Sequence, residues 1–192
     1  MRHLKLDLHI KGAGKTPYSR FGDGRAVTRS VIREYLVGEA MHALNIPTSR
    51  ALMMVFSNEP VFRETTEKGS QLLRTSKTHI RFGHFEYFAF TNQKEELYRL
   101  LDWCIENYFS ELNDHKEKYA AFFREMVQRT AWMIADWQSI GFCHGVMNTD
   151  NMNILGETFD YGPYGFMETY NSKHVCNHTD TQARYSYQNQ PL

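Results

Sequence analysis

One amide and two carboxylates in the last quarter of the chain have the types and spacing to do chemistry. The run His144-Gly-Val-Met-Asn-Thr-Asp-Asn151 is followed by Asp160-Tyr-Gly162. Asn151 and Asp160 both offer hard oxygen donors, which suit Mg²⁺ or Mn²⁺, with water and phosphate oxygens filling the remaining positions. Asp150 is the only carboxylate in the first run. With Val146 unable to accept a proton or bind a cation, Asp150 is the local candidate to deprotonate an attacking hydroxyl. Its alternative reading is an Asx residue capping the loop. A divalent cation beside such a base points to ATP chemistry.

The same strings match the loop of small-molecule kinases, His-Gly-Asp-four residues-Asn, with an Asp-aromatic-Gly triplet to follow. Val146 stands where that pattern has its Asp. The metal positions are kept and the usual base is not, which predicts a kinase fold doing something other than ordinary γ-phosphoryl transfer, or nothing at all.

The elements that must position these residues can be read from periodicity. Leu4, Leu6, Leu8 and Ile10 alternate with Lys5, Asp7, His9 and Lys11, the period of a half-buried strand with Lys11 on its polar face. Gly12-Ala-Gly14 ends that strand, and Thr16 to Arg25 reads as a loop. Val31, Ile32, Leu36, Ala40, Ala43 and Leu44 mark a helix from Thr28 to Leu44 that contains Glu34 and is stopped by Pro47. Strands are expected at Ala51–Ser57 and Pro60–Arg63, joined by a hairpin turn at Asn58-Glu59, and at Gln71–Thr75. Helices follow at Lys94–Ser110 and Tyr119–Ile140. The second carries a stripe of Phe122, Phe123, Met126, Val127, Thr130, Met133, Ile134 and Trp137. Short strands are expected around Ile154-Leu155 and Thr158-Phe159. This order predicts an α+β, protein-kinase-like, two-lobed fold, partial in extent, with an N-lobe-like part over 1–90, a helical C-lobe-like part over 91–192, and the nucleotide between the lobes.

Composition narrows the function classes. The 192 residues include 42% hydrophobic and 14% aromatic side chains, enough to bury a core. Twenty-two basic residues cancel 22 acidic ones, which argues against a nucleic-acid partner held by a broad basic surface. No apolar run approaches the ~20 residues that span a bilayer, so no membrane partner is expected and the chain should be soluble. Cys104, Cys143 and Cys176 are odd in number, far apart and free of a Cys-x-x-Cys pair. Free thiols in a reducing compartment are the expectation.

A more specific resemblance rests on strings in a fixed order. They are His9-Ile-Lys-Gly-Ala-Gly14, Thr16-Pro-Tyr-Ser-Arg20, Gly22-Asp-Gly-Arg-Ala26, Ile32-Arg-Glu34, Glu39-Ala-Met-His-Ala43, Arg81-Phe-Gly-His-Phe-Glu86, and the two runs already described. Together they resemble the selenoprotein O family. The resemblance implies a kinase-like fold that binds ATP in a flipped orientation and transfers AMP, with loss of pyrophosphate, to Ser, Thr or Tyr hydroxyls of protein substrates. It implies that Lys11 neutralises phosphate and Glu34 holds it, a pair that would otherwise read as a surface lysine and a solvated glutamate. Asp23 and Gly24 would lie near the nucleotide, although Asp-Gly also reads as a simple turn. Arg74 and Arg81 would contact phosphates, for which guanidinium is suited. Asn151 and Asp160 would hold the metal, and Asp150 would take the proton.

Family members also have a glycine-rich segment before the first strand and extend beyond the last residue of this chain, so the chain is expected to be a fragment. A bacterial cytoplasm is the expected setting, with a mitochondrial matrix as alternative. Two rival functions remain open at this stage: an atypical kinase transferring the γ-phosphate, and an inactive nucleotide-binding pseudokinase fragment.

Overall fold

The computed structural model describes residues 5–17, 19 and 22–191. Leu4 of the expected first strand, and Tyr18 and Arg20 of the expected loop string, lie outside them. The chain divides into two compact units, one made of Met1–His79 with Thr158–Gly162, the other of Ile80–Glu157 with Pro163–Leu192.

In the first unit, β4 (Thr66–Ser76) is the central strand. β1 (Asp7–Lys11) and the short β2 (Ala26–Val27) pair with it antiparallel along one side, setting Lys11 opposite Leu72 and Ala26 opposite Ser70. β3 (Arg50–Phe62) pairs antiparallel along the other side, placing Met54 opposite Leu72. Along β4 the side chains alternate: Ser70, Leu72, Arg74 and Ser76 are buried, while Gln71, Leu73 and Thr75 are half-exposed. Helix α1 (Thr28–Ala43) accounts for the buried face, packing Val31 against Leu72 and Ala26, with Tyr35, Ala51 and Met54 around them. α1 ends before Pro47 can stop it. Asn45 takes a left-handed φ of 59°, and the N–H groups of Asn45 and Ile46 return to the carbonyls of His42 and Met41, a Schellman closure.

Two expectations are corrected here. The apolar face of β1 is the outer one: Leu8 and Ile10 are 61% and 51% exposed, and the polar face bearing His9 and Lys11 points toward α1. The physical reason is that Lys11 finds two carboxylates on that side. There is also no hairpin at Asn58-Glu59. β3 runs through it as one strand with a register shift between Phe56 and Pro60, and the chain reverses at Arg63–Thr65 instead.

The second unit is mainly helical, with α2 (Phe82–Phe90), α3 (Lys94–Tyr108) and α4 (Lys118–Ser139). A two-stranded ladder, β5 (Phe142–Cys143) with β6 (Gly165–Phe166), replaces the strands expected near Ile154 and Thr158, which make only isolated bridges. The core gathers Cys104, Ile105 and Phe109 around Phe122 and Ile154, with Phe109 edge-on to Phe122 at 4.8 Å. On α4 the expected stripe splits. Phe122, Met133, Ile134 and Trp137 are buried, whereas Phe123 and Val127 are exposed. Among the described residues no helix is long and apolar enough to cross a membrane.

Candidate functional site

Four of the expected residues meet inside the first unit. The segment 158–162 is stitched to the stretch after α1: Thr158 N donates to Pro47 O at 2.8 Å, Ser49 N to Thr158 O at 2.9 Å, and Tyr161 shares a 2.6 Å hydroxyl contact with Thr48. Tyr161 is thereby buried, and Asp160, in a left-handed backbone conformation (φ 57°), turns its carboxylate toward the sheet. There Asp160 Oδ1 accepts from Lys11 Nζ at 3.0 Å and from Arg74 Nη2 at 2.8 Å. Glu34, from α1, completes the square by accepting from Lys11 Nζ at 2.6 Å and from Arg74 Nε at 2.5 Å. Two cations thus alternate with two carboxylates.

The square is graded in exposure. Arg74 and Glu34 have side chains only 2% and 4% exposed, while those of Lys11 and Asp160 are 21% and 27% exposed. Burial works against the Arg74 charge, but Asp160 and Glu34 outweigh it and raise its pKa above the ordinary guanidinium value. Each charge-assisted contact is short, and the pairing makes burial of the ions tolerable. Lys11 and Asp160 are the members open to a ligand. An ammonium there suits phosphate oxygens, and a carboxylate suits a divalent cation. Arg74, expected to contact phosphates, is itself enclosed here and bridges Glu34 and Asp160.

Asp23 and Gly24 are not part of this square. Asp23 forms a two-pronged pair with Arg63 (2.7 and 3.0 Å) and accepts from Arg25 N at 2.9 Å. The Arg63 hydrogen bonds, aided by that backbone donor, lower its carboxyl to about 2. Gly24, with φ 68°, lets residues 14–15 pass so close that any Cβ would strike the Gly14 carbonyl; Gly14 N donates to Gly24 O at 3.0 Å.

The remaining expected residues meet inside the second unit. Thr149–Asn151 form one 3-10 turn. Asn151 Nδ2 donates to Val146 O at 2.9 Å, so Val146 still serves the loop through its backbone, and the Asn151 side-chain oxygen is the group left for a ligand. His144 is buried and stacked on Trp137 at 5.3 Å, while its backbone N–H donates to Gln190 Oε1 at 2.9 Å. This is a structural part, not a base. Arg81 Nη1 donates to Asp150 O at 2.9 Å, and Phe82 N donates to Met152 O at 3.0 Å. Two contacts lacked a sequence signal: the Thr149 hydroxyl donates to Glu86, and the Asp150 carboxylate lies against Gly83. Both come from α2, a helix that the sequence pattern did not reveal.

A metal can be tested against these donors. Among the described residues no three His, Cys, Asp or Glu side chains cluster as a ready-made site. Taken each within its own unit, the Asp160 carboxylate and the Asn151 amide oxygen are single hard donors of the kind that suit Mg²⁺ or Mn²⁺, with nucleotide and water oxygens needed for the other positions. The thiols are free. Burial pushes Cys104 up to about 12, which makes it inert.

The family model described as "Protein adenylyltransferase SelO" matches residues 2–192. Among curated proteins, "Protein nucleotidyltransferase YdiU" of Erwinia tasmaniensis is 60% identical over 188 residues, covering 98% of this chain and 39% of its own length. The proteins of the same name from Cronobacter sakazakii and Klebsiella pneumoniae subsp. pneumoniae are each 56% identical over 187 residues, covering 97% of this chain and 39% of their own length. The chain therefore spans about two-fifths of the relatives it matches.

Proposed function

We propose, since this chain belongs to the SelO family of protein adenylyltransferases, that it carries the nucleotide-handling core of an enzyme that transfers AMP from ATP to Ser, Thr or Tyr hydroxyls of proteins. The observation that carries the reading is the ion square of Lys11, Glu34, Arg74 and Asp160. Such a network has more than a surface role. It fixes an ammonium where phosphate oxygens can meet it and a carboxylate where a cation can.

We assign metal-holding roles to Asp160 in the first unit and to Asn151 in the second; Mg²⁺ or Mn²⁺, when bound, would neutralise charge on the phosphates. Asp150 is assigned the proton of the acceptor hydroxyl. The hydroxyl oxygen then forms a bond to the α-phosphorus, the bond from that phosphorus to the bridging oxygen breaks, and pyrophosphate leaves. Arg81 keeps the Asp150 backbone in place from the carbonyl side. The absence of a carboxylate at Val146 supports Asp150 as the base, because Asp150 is the one carboxylate in the run 144–151 and His144 is buried against Trp137.

The test uses ATP labelled separately at the α- and γ-phosphorus with Mg²⁺ or Mn²⁺, on this chain and in parallel on the full-length Erwinia relative. Label retained on protein from the α position, with pyrophosphate released, is the expected result. Retention from the γ position with ADP released would make the protein a kinase. No retention by this chain, with α retention by the relative, would place the activity in the longer protein only.

A further inference from the structure

We propose that the first turn of α2 sets the position of the Asp150 carboxylate, with Gly83 and Glu86 as its positioning residues. The inference rests on the reading of Asp150 as proton acceptor and adds what places it there.

Gly83 is the second residue of α2, and it is absent from the glycines that take a positive φ. Backbone conformation therefore does not require glycine, and alanine is the better helix former at such a position. The reason for glycine lies in what approaches it. A Cβ built on Gly83 would collide with Asp150 Oδ1, and would stand 3.4 Å from its Cγ and 3.5 Å from its backbone N. All three nearest atoms belong to Asp150, so the space that glycine leaves is filled by that one residue. The collision involves the carboxylate itself, the group that would take the proton.

Two further contacts hold the same turn. Arg81, at the N-terminal boundary of α2, donates through Nη1 to Asp150 O, and Glu86, one helical turn after Gly83, accepts the Thr149 hydroxyl. Glu86 is otherwise exposed. One short helix thus grips the residue before Asp150, its carbonyl and its carboxylate. Displacing a reacting group by about 1 Å is enough to cost on the order of 10²-fold in rate. A methyl group at residue 83 would force a shift of that kind.

The test compares Gly83→Ala, Glu86→Ala, Glu86→Gln and Asp150→Ala in the protein that shows transfer, measuring kcat, the KM for ATP and thermal stability. It also follows the Asp150 side-chain carboxyl resonance by NMR in this chain. We expect Gly83→Ala to lose on the order of 10²-fold in kcat with KM unchanged, stability kept or raised, and the Asp150 resonance moved. Glu86→Ala should lose kcat, and Glu86→Gln, which still accepts from Thr149, should recover most of it. A Gly83→Ala variant with wild-type kcat and an unmoved resonance, beside an inactive Asp150→Ala, would overturn the positioning role while leaving the base assignment standing. Loss of stability and ATP affinity together with kcat in Gly83→Ala would reduce Gly83 to a packing residue and overturn the proposal. Full activity in Asp150→Ala would defeat the base assignment, and the proposal with it.

Discussion

Two carboxylates share the guanidinium of Arg74, so removing that side chain would strand a buried charge as well as empty a space. Arg74→Met should destabilise the chain by ~3–5 kcal/mol, because the buried Glu34 carboxylate would keep only Lys11 as a partner. Arg74→Lys should recover only part of this, since a single ammonium cannot reproduce the two separate N–H directions that reach Glu34 and Asp160. Denaturant titration of the three proteins checks both expectations; equal midpoints would mean that the square adds nothing to the fold. The pairing of Lys11 with Glu34 was legible only through the family resemblance, since strand period places Lys11 on a polar face and says nothing of its partner. The enclosure of Arg74 was not legible at all. An arginine alternating with Leu73 reads as solvent-facing, and only the carboxylates delivered by α1 and by residue 160 make its burial affordable. Gly83 was equally illegible, since nothing local reveals that its missing side chain is occupied by Asp150.

The helices show how far periodicity reaches at the scale of elements. α1, α3 and α4 lie within two residues of their expected bounds because each carries a helical apolar repeat. α2 escaped notice because its nine residues are nearly all apolar or aromatic and none is buried, so no face stands out. On α4 the adjacent residues Phe122 and Phe123 differ only in direction, one at the centre of the core and the other in water. Phe122→Ala should cost ~3–5 kcal/mol through lost burial and the cavity it leaves, whereas Phe123→Ala should stay within about 0.5 kcal/mol. Parallel melting curves decide it; equal losses would show that the face bearing Phe123 is packed in solution. The misplaced hairpin has a similar origin. Asn58-Glu59 has turn chemistry, but β4 offers a partner long enough to carry β3 straight through a bulge.

For the molecule as a whole, α2 groups with the helices it packs against, in the unit that opens at Ile80, while residues 158–162 return to the first unit. Both units present apolar side chains to solvent: Leu8, Ile10, Met53 and Val55 on the outer face of the sheet, and Phe123, Val127 and Trp132 on α4. Exposed apolar surface of this extent is unusual for a protein with no partner. The chain should therefore bind a hydrophobic dye in its native state and self-associate as concentration rises. Paired substitutions Phe123→Glu and Val127→Glu should reduce both, as read by dye fluorescence and sedimentation. Native protein that stays monomeric and dark would show these faces to be harmless. Net charge is zero, so no long-range repulsion opposes such association.

The segment 158–162 that completes the ion square has a consequence for how the chain is made. Arg74 and Asp160 are 86 positions apart, and the residues that become α2, α3 and α4 are synthesised between them. At the usual pace of translation that gap lasts ~4–17 s. Throughout it the nascent sheet holds Lys11 and Arg74 with Glu34 as their only square partner, and Thr48 has no Tyr161 to meet. The helical unit can begin to form before the unit that precedes it in the chain is closed. Long-range closure of this kind slows folding. The part of the first unit assigned to phosphate and metal is thus the last part of it to be finished on the ribosome.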